Sequence, residues 1–262
     1  MPFSESSRAW RARHRSPDAP GALLLCHGFT GTPQSLRPWG EHQARRGWEV
    51  SIPLLPGHGT TWRDLAVTDR SAWTAALAAE ARDLISRHGR IAVGGLSMGG
   101  ALALALAEDP DLAPGIAALV LVNPALALPR AQRLAVPVLQ HVVASVGAIG
   151  ADTRSGALEE AYERTPVRGV EQLRRLQREV RHRLGDVRCP VLLATSSVDH
   201  VVDPRCSDLV AERVSGPVER LPLRESFHVA TLDHDAPLLF ETASAFLDRV
   251  TAPQAPTPDA DA

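Results

Sequence analysis

The 262-residue sequence predicts an α/β fold, a mostly parallel, doubly wound sheet with an inserted cap. Three observations predict it. Short, continuous apolar runs recur along the chain, as strands buried on both faces require. Longer stretches of helical pattern separate them. The alternation breaks once, after "AALVLV", and resumes only at "PVLLAT".

Residues 1–20 form a polar lead-in. "GALLLC" (21–26) is the first strand, bounded by turn residues. A helical pattern at 34–46 leads to "WEVSIP" (48–53). A second at 71–88 leads to "RIAVGG" (90–95). The stretch 98–108 contains "ALALALA", which alternates like a strand. Alanine and leucine are strong helix formers, however, and no β-branched residue interrupts them. A parallel sheet also needs a crossover at this point, so the stretch reads as a buried helix. "AALVLV" (117–122) is the next strand. The interval 124–188 reads as the inserted cap. It holds "RLAVPVLQHVVASVGAIG" and then a helix with Val170, Leu173, Leu176, Val180 and Leu184 on one face. The alternation resumes with "PVLLAT" (190–195), a helix at 204–214, the weaker strand "PVERLPL" (217–223) and a helix at 236–250. Residues 21–123 and 189–250 thus form the core domain. The tail 251–262, "TAPQAPTPDADA", is expected to be disordered.

Composition narrows the function. A hydrophobic fraction of 44% fills a sizeable core, and a net charge of -2 offers no field for nucleic acid. All 28 basic residues are arginine. Cys26, Cys189 and Cys206 are scattered, and no CxxC or His/Cys cluster suggests a metal. No metal site is expected. The N-terminus lacks the apolar core of a secretory signal, and no run reaches the roughly 18 apolar residues of a membrane span. A cytoplasmic protein is expected.

"GGLSMGG" (94–100) carries the chemistry. A strand that turns abruptly into a helix strains the turn residue, so small neighbours must flank it. Gly95 and Gly99 flank Ser97 in a G-x-S-x-G pattern with strand before and helix after. The turn lifts the Ser97 hydroxyl above the sheet edge and sets the Met98 N–H at a helix N-terminus, where it suits an oxyanion. A serine hydroxyl needs a base. Of ten histidines, His228 in "RESFHVATLDHD" is best placed, after the last strand and before the last helix; His234 is the nearest rival. His141, His182 and His200 read as surface or packing residues. The orienting carboxylate should follow the preceding strand, in "LLATSSVDHVVDP". Asp199 is nearer the strand end, and Asp203 reads as the N-cap of the following helix. The second oxyanion donor is the Phe29 N–H in "LLLCHGFTGTP"; His27 beside it reads as a packing residue.

At these residues the chain resembles α/β-hydrolases of the bacterial monoacylglycerol lipase and carboxylesterase group. "HGFTGTP", "LPGHGTT", "GLSMGG", "AYERTP", "VDHVVDP" and "HVATLDHD" all match in order, over about residues 21–250. The resemblance implies a serine esterase that cleaves acyl esters through an acyl-enzyme without a cofactor. Ser97, Asp199 and His228 fall on the family triad, and Phe29 and Met98 on its oxyanion donors. Glu159 falls on a cap position that recognises glycerol hydroxyls. "SSV" (196–198) departs from the family, which carries carboxylates there. The expected substrate is a small ester or lipid, most simply a monoacylglycerol, with transient membrane contact by the cap. A general carboxylesterase and a lactone or thioester hydrolase use the same triad. A ligand-binding relative with a silent site is the non-enzyme alternative, and fluorophosphonate labelling separates it.

Overall fold

The computed structural model describes residues 3–13 and 20–251. Of the tail expected to be disordered, Thr251 closes the last helix and the rest lies outside the described residues. In chain order the elements are β1 (Trp10–Ala12), β2 (Ala22–Cys26), α1 (Arg37–Arg45), β3 (Glu49–Ile52), α2 (Trp62–Val67) and α3 (Arg70–His88). There follow β4 (Ile91–Leu96), α4 (Met98–Glu108), β5 (Ile116–Val122), α5 (Arg130–Leu139), β6 (Ser145–Gly147), β7 (Arg164–Pro166) and α6 (Val167–Arg183). The last are β8 (Val191–Ser196), α7 (Arg205–Arg213), β9 (Val218–Leu223) and α8 (Ala236–Thr251).

Seven strands form one sheet in the order β1-β3-β2-β4-β5-β8-β9. All neighbours run parallel except β1, which pairs antiparallel with β3. The central strands β2, β4, β5 and β8 are buried on both faces, which explains their apolar runs, whereas the edge strands β1 and β9 are partly exposed. Along β2, Ala22, Leu24 and Cys26 join one core with α3 and α4, while Leu23 and Leu25 join the other with α1 and α8. Helix α4 is buried along its length except at Ala105, as a helix apolar on every side up to its last residue, Glu108, must be.

Three features extend or adjust the sequence expectation. The polar lead-in contains the edge strand β1, anchored where Trp10 packs on Gly40 and under the Arg37 guanidinium. The helix expected over 34–46 begins as a 3-10 turn, Pro33–Leu36, before α1. The interval read as a cap contains two kinds of structure. Residues 130–166 hold α5 and the two-stranded β6–β7 hairpin, whereas α6 lays Leu173, Leu176 and Val180 into the core shared with α4.

Candidate active site

Four loops that leave the C-terminal ends of parallel strands converge, the usual place for a site in such a sheet. They follow β2, β4, β8 and β9 and carry Phe29, Ser97, Asp199 and His228.

Ser97 joins β4 directly to α4 with φ 57° and ψ -116°. This is strained backbone for a residue with a Cβ. Its N–H donates to the Val122 carbonyl (3.0 Å), and its carbonyl accepts from the N–H groups of Gly100 (3.0 Å) and Ala125 (3.0 Å). The flanking glycines are steric necessities. A Cβ on Gly95 would strike the Gly99 backbone, and one on Gly99 would strike the Cys26 carbonyl. Met98 opens α4, so its N–H has no partner within the helix. Phe29 lies in the loop after β2, and its ring packs edge-on to His58 and Trp73.

His228 is buried, and its Nδ1 lies 2.7 Å from Asp199 Oδ2. The other oxygen of Asp199 accepts the N–H groups of Val201 (2.8 Å) and Val202 (2.7 Å). Both carboxylate oxygens are therefore committed, and the imidazole has a single favoured orientation. Asp203 stands elsewhere, exposed and paired with Arg205. The helix starts one residue later than expected, with Pro204 at the N-cap; Asp203 nonetheless accepts the Arg205 N–H (3.0 Å). His234, His141 and His182 are exposed and outside the site.

His27 is a brace rather than a base. Its Nε2 accepts the Leu55 N–H (3.2 Å), so Nδ1 carries the proton and donates to the Gly28 carbonyl (2.9 Å). Burial lowers its pKa to about 4, which keeps the ring neutral.

Ser97 and His228 face one cavity of about 460 Å³, with Gly28, Phe29 and Glu159 in the same wall. The rest of the lining is largely apolar, with Leu128, Val136 and Leu139 from the α5 side and Val170 and Leu173 from α6. Such a chamber suits an acyl chain. Asp199 is behind His228 and does not line it. Glu159 enters from the segment between β6 and β7, and its Oε1 lies so close over Gly31 that a Cβ there would displace it. Enough atoms crowd the carboxyl to raise its pKa to about 7, opposed by the nearby His228 and the Ser35 hydroxyl.

That shift has a testable sign. The folded state holds the Glu159 proton more tightly than an ordinary glutamate at 4.5, so stability is lost as pH rises from there through about 7. Glu159→Gln escapes the loss. Its melting temperature should gain on wild type between about pH 5 and 8, by the equivalent of roughly 1–3 kcal/mol. A gap that stays constant with pH would show that Glu159 is not held in this way.

Several supports were invisible in sequence. Asn123, at φ 45°, donates from Nδ2 to the His228 carbonyl (2.8 Å) and to Ser196 Oγ (2.9 Å), while its Oδ1 accepts the Ser196 N–H (2.8 Å). Ser196 Oγ donates in turn to the Phe227 carbonyl (2.7 Å), which gives the first residue of the departing "SSV" a local task. Tyr162 joins two of the matching motifs. Its hydroxyl donates to the Gly57 carbonyl (2.6 Å) and accepts the Thr60 N–H (3.1 Å), while its own N–H donates to the Thr30 carbonyl (3.1 Å). Asp233 accepts four N–H groups, those of Arg154 and Ser155 on one side and Phe227 and His234 on the other. Asn123 shows in sequence only as a lone Asn after a strand, while Tyr162 and Asp233 fall inside the matching "AYERTP" and "HVATLDHD"; none of these signals says what the residue holds.

The family model Hydrolase_4, described as serine aminopeptidase, S33, matches residues 17–235. The chain is 38% identical over 231 residues to a thermostable monoacylglycerol lipase of Bacillus sp. (strain H-257), spanning 87% of this chain and 91% of that protein. It is 25% identical over 233 residues to a carboxylesterase of Bacillus subtilis (strain 168), spanning 87% and 93%. A solved structure from the LipS and LipT pair of metagenome-derived lipolytic enzymes superposes with a TM-score of 0.88 at 34% identity, over 94% of this chain and 98% of that one.

Proposed function

The chain belongs to the serine aminopeptidase S33 family of α/β-hydrolases and is an ester-hydrolysing member; on that premise we propose that it is a monoacylglycerol lipase working through Ser97, His228 and Asp199. The interval 124–188, between β5 and β8, then holds the cap over the site. No helix among the described residues is long and apolar enough to cross a membrane.

Ser97 Oγ attacks the ester carbonyl while its proton passes to His228 Nε2. Asp199 stabilises the resulting imidazolium through Nδ1, at the 2.7 Å contact. The N–H groups of Phe29 and Met98 stabilise the oxyanion. As the intermediate collapses, His228 returns the proton to the leaving glycerol oxygen. Water, deprotonated by His228, then attacks the acyl-enzyme and restores Ser97.

The observation that carries the glycerol assignment is Glu159, a carboxyl group facing the same cavity as Ser97 and His228. Ionised, as it becomes above about pH 7, this group is a pure acceptor, and the two free hydroxyls of a 1-monoacylglycerol are a matching pair of donors. Bonds of this kind in a half-dry pocket contribute about 1.5–3 kcal/mol, a preference of roughly ten- to a hundredfold. The test compares a 1-monoacylglycerol with the methyl ester of the same acid. Wild type should favour the glycerol ester in kcat/KM, and Glu159→Ala should lose that preference while methyl ester turnover changes little. Equal treatment by wild type would reduce the assignment to a general carboxylesterase.

A further inference from the structure

We propose that Asp152 is a positioning residue for the acid and base, bridging the loop that carries Asp199 to the loop that carries His228. The proposal rests on the assignment of those two residues made above. Asp152 lies in the segment between β6 and β7, and it belongs to none of the motifs that mark the site.

Its side chain serves two main-chain donors at once. Oδ2 accepts the N–H of His228 (3.2 Å) and the N–H of His200 (3.1 Å), the residue next to Asp199. Oδ1 meets His200 Nδ1 at 2.8 Å. The Asp152 carbonyl adds a bond from the Val229 N–H (3.0 Å). Burial alone would raise the carboxyl pKa, but the His200 ring and the two N–H groups hold it below the usual value, so it stays an acceptor at neutral pH.

These bonds have a mechanical meaning. The 2.7 Å contact between Asp199 and His228 fixes the imidazole only as well as the two loops are fixed to each other. Asn123 holds the His228 carbonyl and Asp152 holds its N–H, so the residue is pinned at both ends. Asn123 also reaches the end of β8 at Ser196, whereas Asp152 reaches the Asp199 loop itself, through the His200 N–H. It does so from a braced segment, because the N–H groups of Arg154 and Ser155 are held by Asp233. A displacement of the base by about 1 Å can cost on the order of a hundredfold in rate.

The competing reading is a surface ion pair, since the His200 ring is 58% exposed. Substitutions separate the two. Asp152→Ala should lower kcat roughly ten- to a hundredfold on a small soluble ester, with KM within about twofold. Asp152→Asn should restore most of kcat at about pH 8. Its amide oxygen can accept both N–H groups while its NH2 donates to the His200 ring. His200→Ala, which keeps the main-chain N–H, should retain at least half of wild-type kcat. The imidazole Nδ1–H proton of His228, read by NMR, should be sharp and far downfield in wild type and Asp152→Asn, and shifted or broadened in Asp152→Ala. Asp152→Ser, too short to span both donors, takes the place of alanine if that variant does not fold.

Wild-type kcat in a folded Asp152→Ala or Asp152→Ser would overturn the proposal. So would Asp152→Asn being as slow as alanine, or His200→Ala reproducing the loss. His228→Ala belongs in the same series. If it keeps activity, the assignment of the base is wrong; if it is dead while Asp152→Ala is unimpaired, only the positioning role fails.

Discussion

Ser97→Ala is expected to cut kcat for ester hydrolysis by about 10^3-fold or more while the fold stays intact. The size of the loss follows from the role. In the proposed mechanism the hydroxyl forms the bond to the acyl group, and no neighbouring side chain can take its place at the end of β4. The intact fold follows from what the backbone already does. The Ser97 N–H and carbonyl bonds to Val122, Gly100 and Ala125 are main-chain bonds that alanine preserves. Alanine also occupies φ 57° at a cost similar to serine's. Far-UV circular dichroism and the melting temperature verify folding, and kcat/KM on a soluble ester gives the loss. A folded variant that retains more than about a tenth of wild-type activity would remove Ser97 as the nucleophile.

Asp199→Asn is expected to cost on the order of 10^4 in kcat, the scale on which a wrong imidazole tautomer acts. The geometry says why asparagine cannot substitute. One oxygen of Asp199 is claimed by the N–H groups of Val201 and Val202, so the amide oxygen must take that place. The NH2 then faces His228 Nδ1 as a donor, and the proton moves to Nε2, the atom that in the proposed mechanism accepts from Ser97. Asp203→Asn should leave activity near wild type, because its carboxylate meets Arg205 on the surface. Both variants are to be compared at a temperature where each is folded. The reverse ranking would transfer the role of the acid to Asp203.

The parts of this molecule that sequence made legible share a physical property: their signal is local. Strands buried on both faces must be continuously apolar, so β2, β4, β5 and β8 stand out wherever they fall. Helix α4 was readable through its Ala/Leu content and through the strand that precedes it. Ser97 announces itself because the tight turn admits only glycine at 95 and 99. The pairing of Asp199 with His228 was legible from their places after consecutive strands. What was not legible depends on contacts between distant segments. Asp152 and His228 are 76 residues apart, and Asn123 and His228 are 105 apart. Strand β1 has three residues and no apolar run, and only its pairing with β3 makes it a strand. Helix α6 was legible as an amphipathic helix, but nothing in its stripe of Val170, Leu173 and Leu176 tells which surface it covers. Its packing against α4 is a tertiary fact.

The most direct test of the account is the site of covalent modification by a fluorophosphonate, read by intact mass and peptide mapping alongside ester hydrolysis. The account predicts one adduct per chain, on Ser97, appearing at the same rate as activity is lost. It also predicts no adduct in Ser97→Ala and very slow labelling in His228→Ala. Full activity in a protein whose Ser97 is quantitatively modified, or an adduct on another residue that tracks the loss of activity, would contradict it.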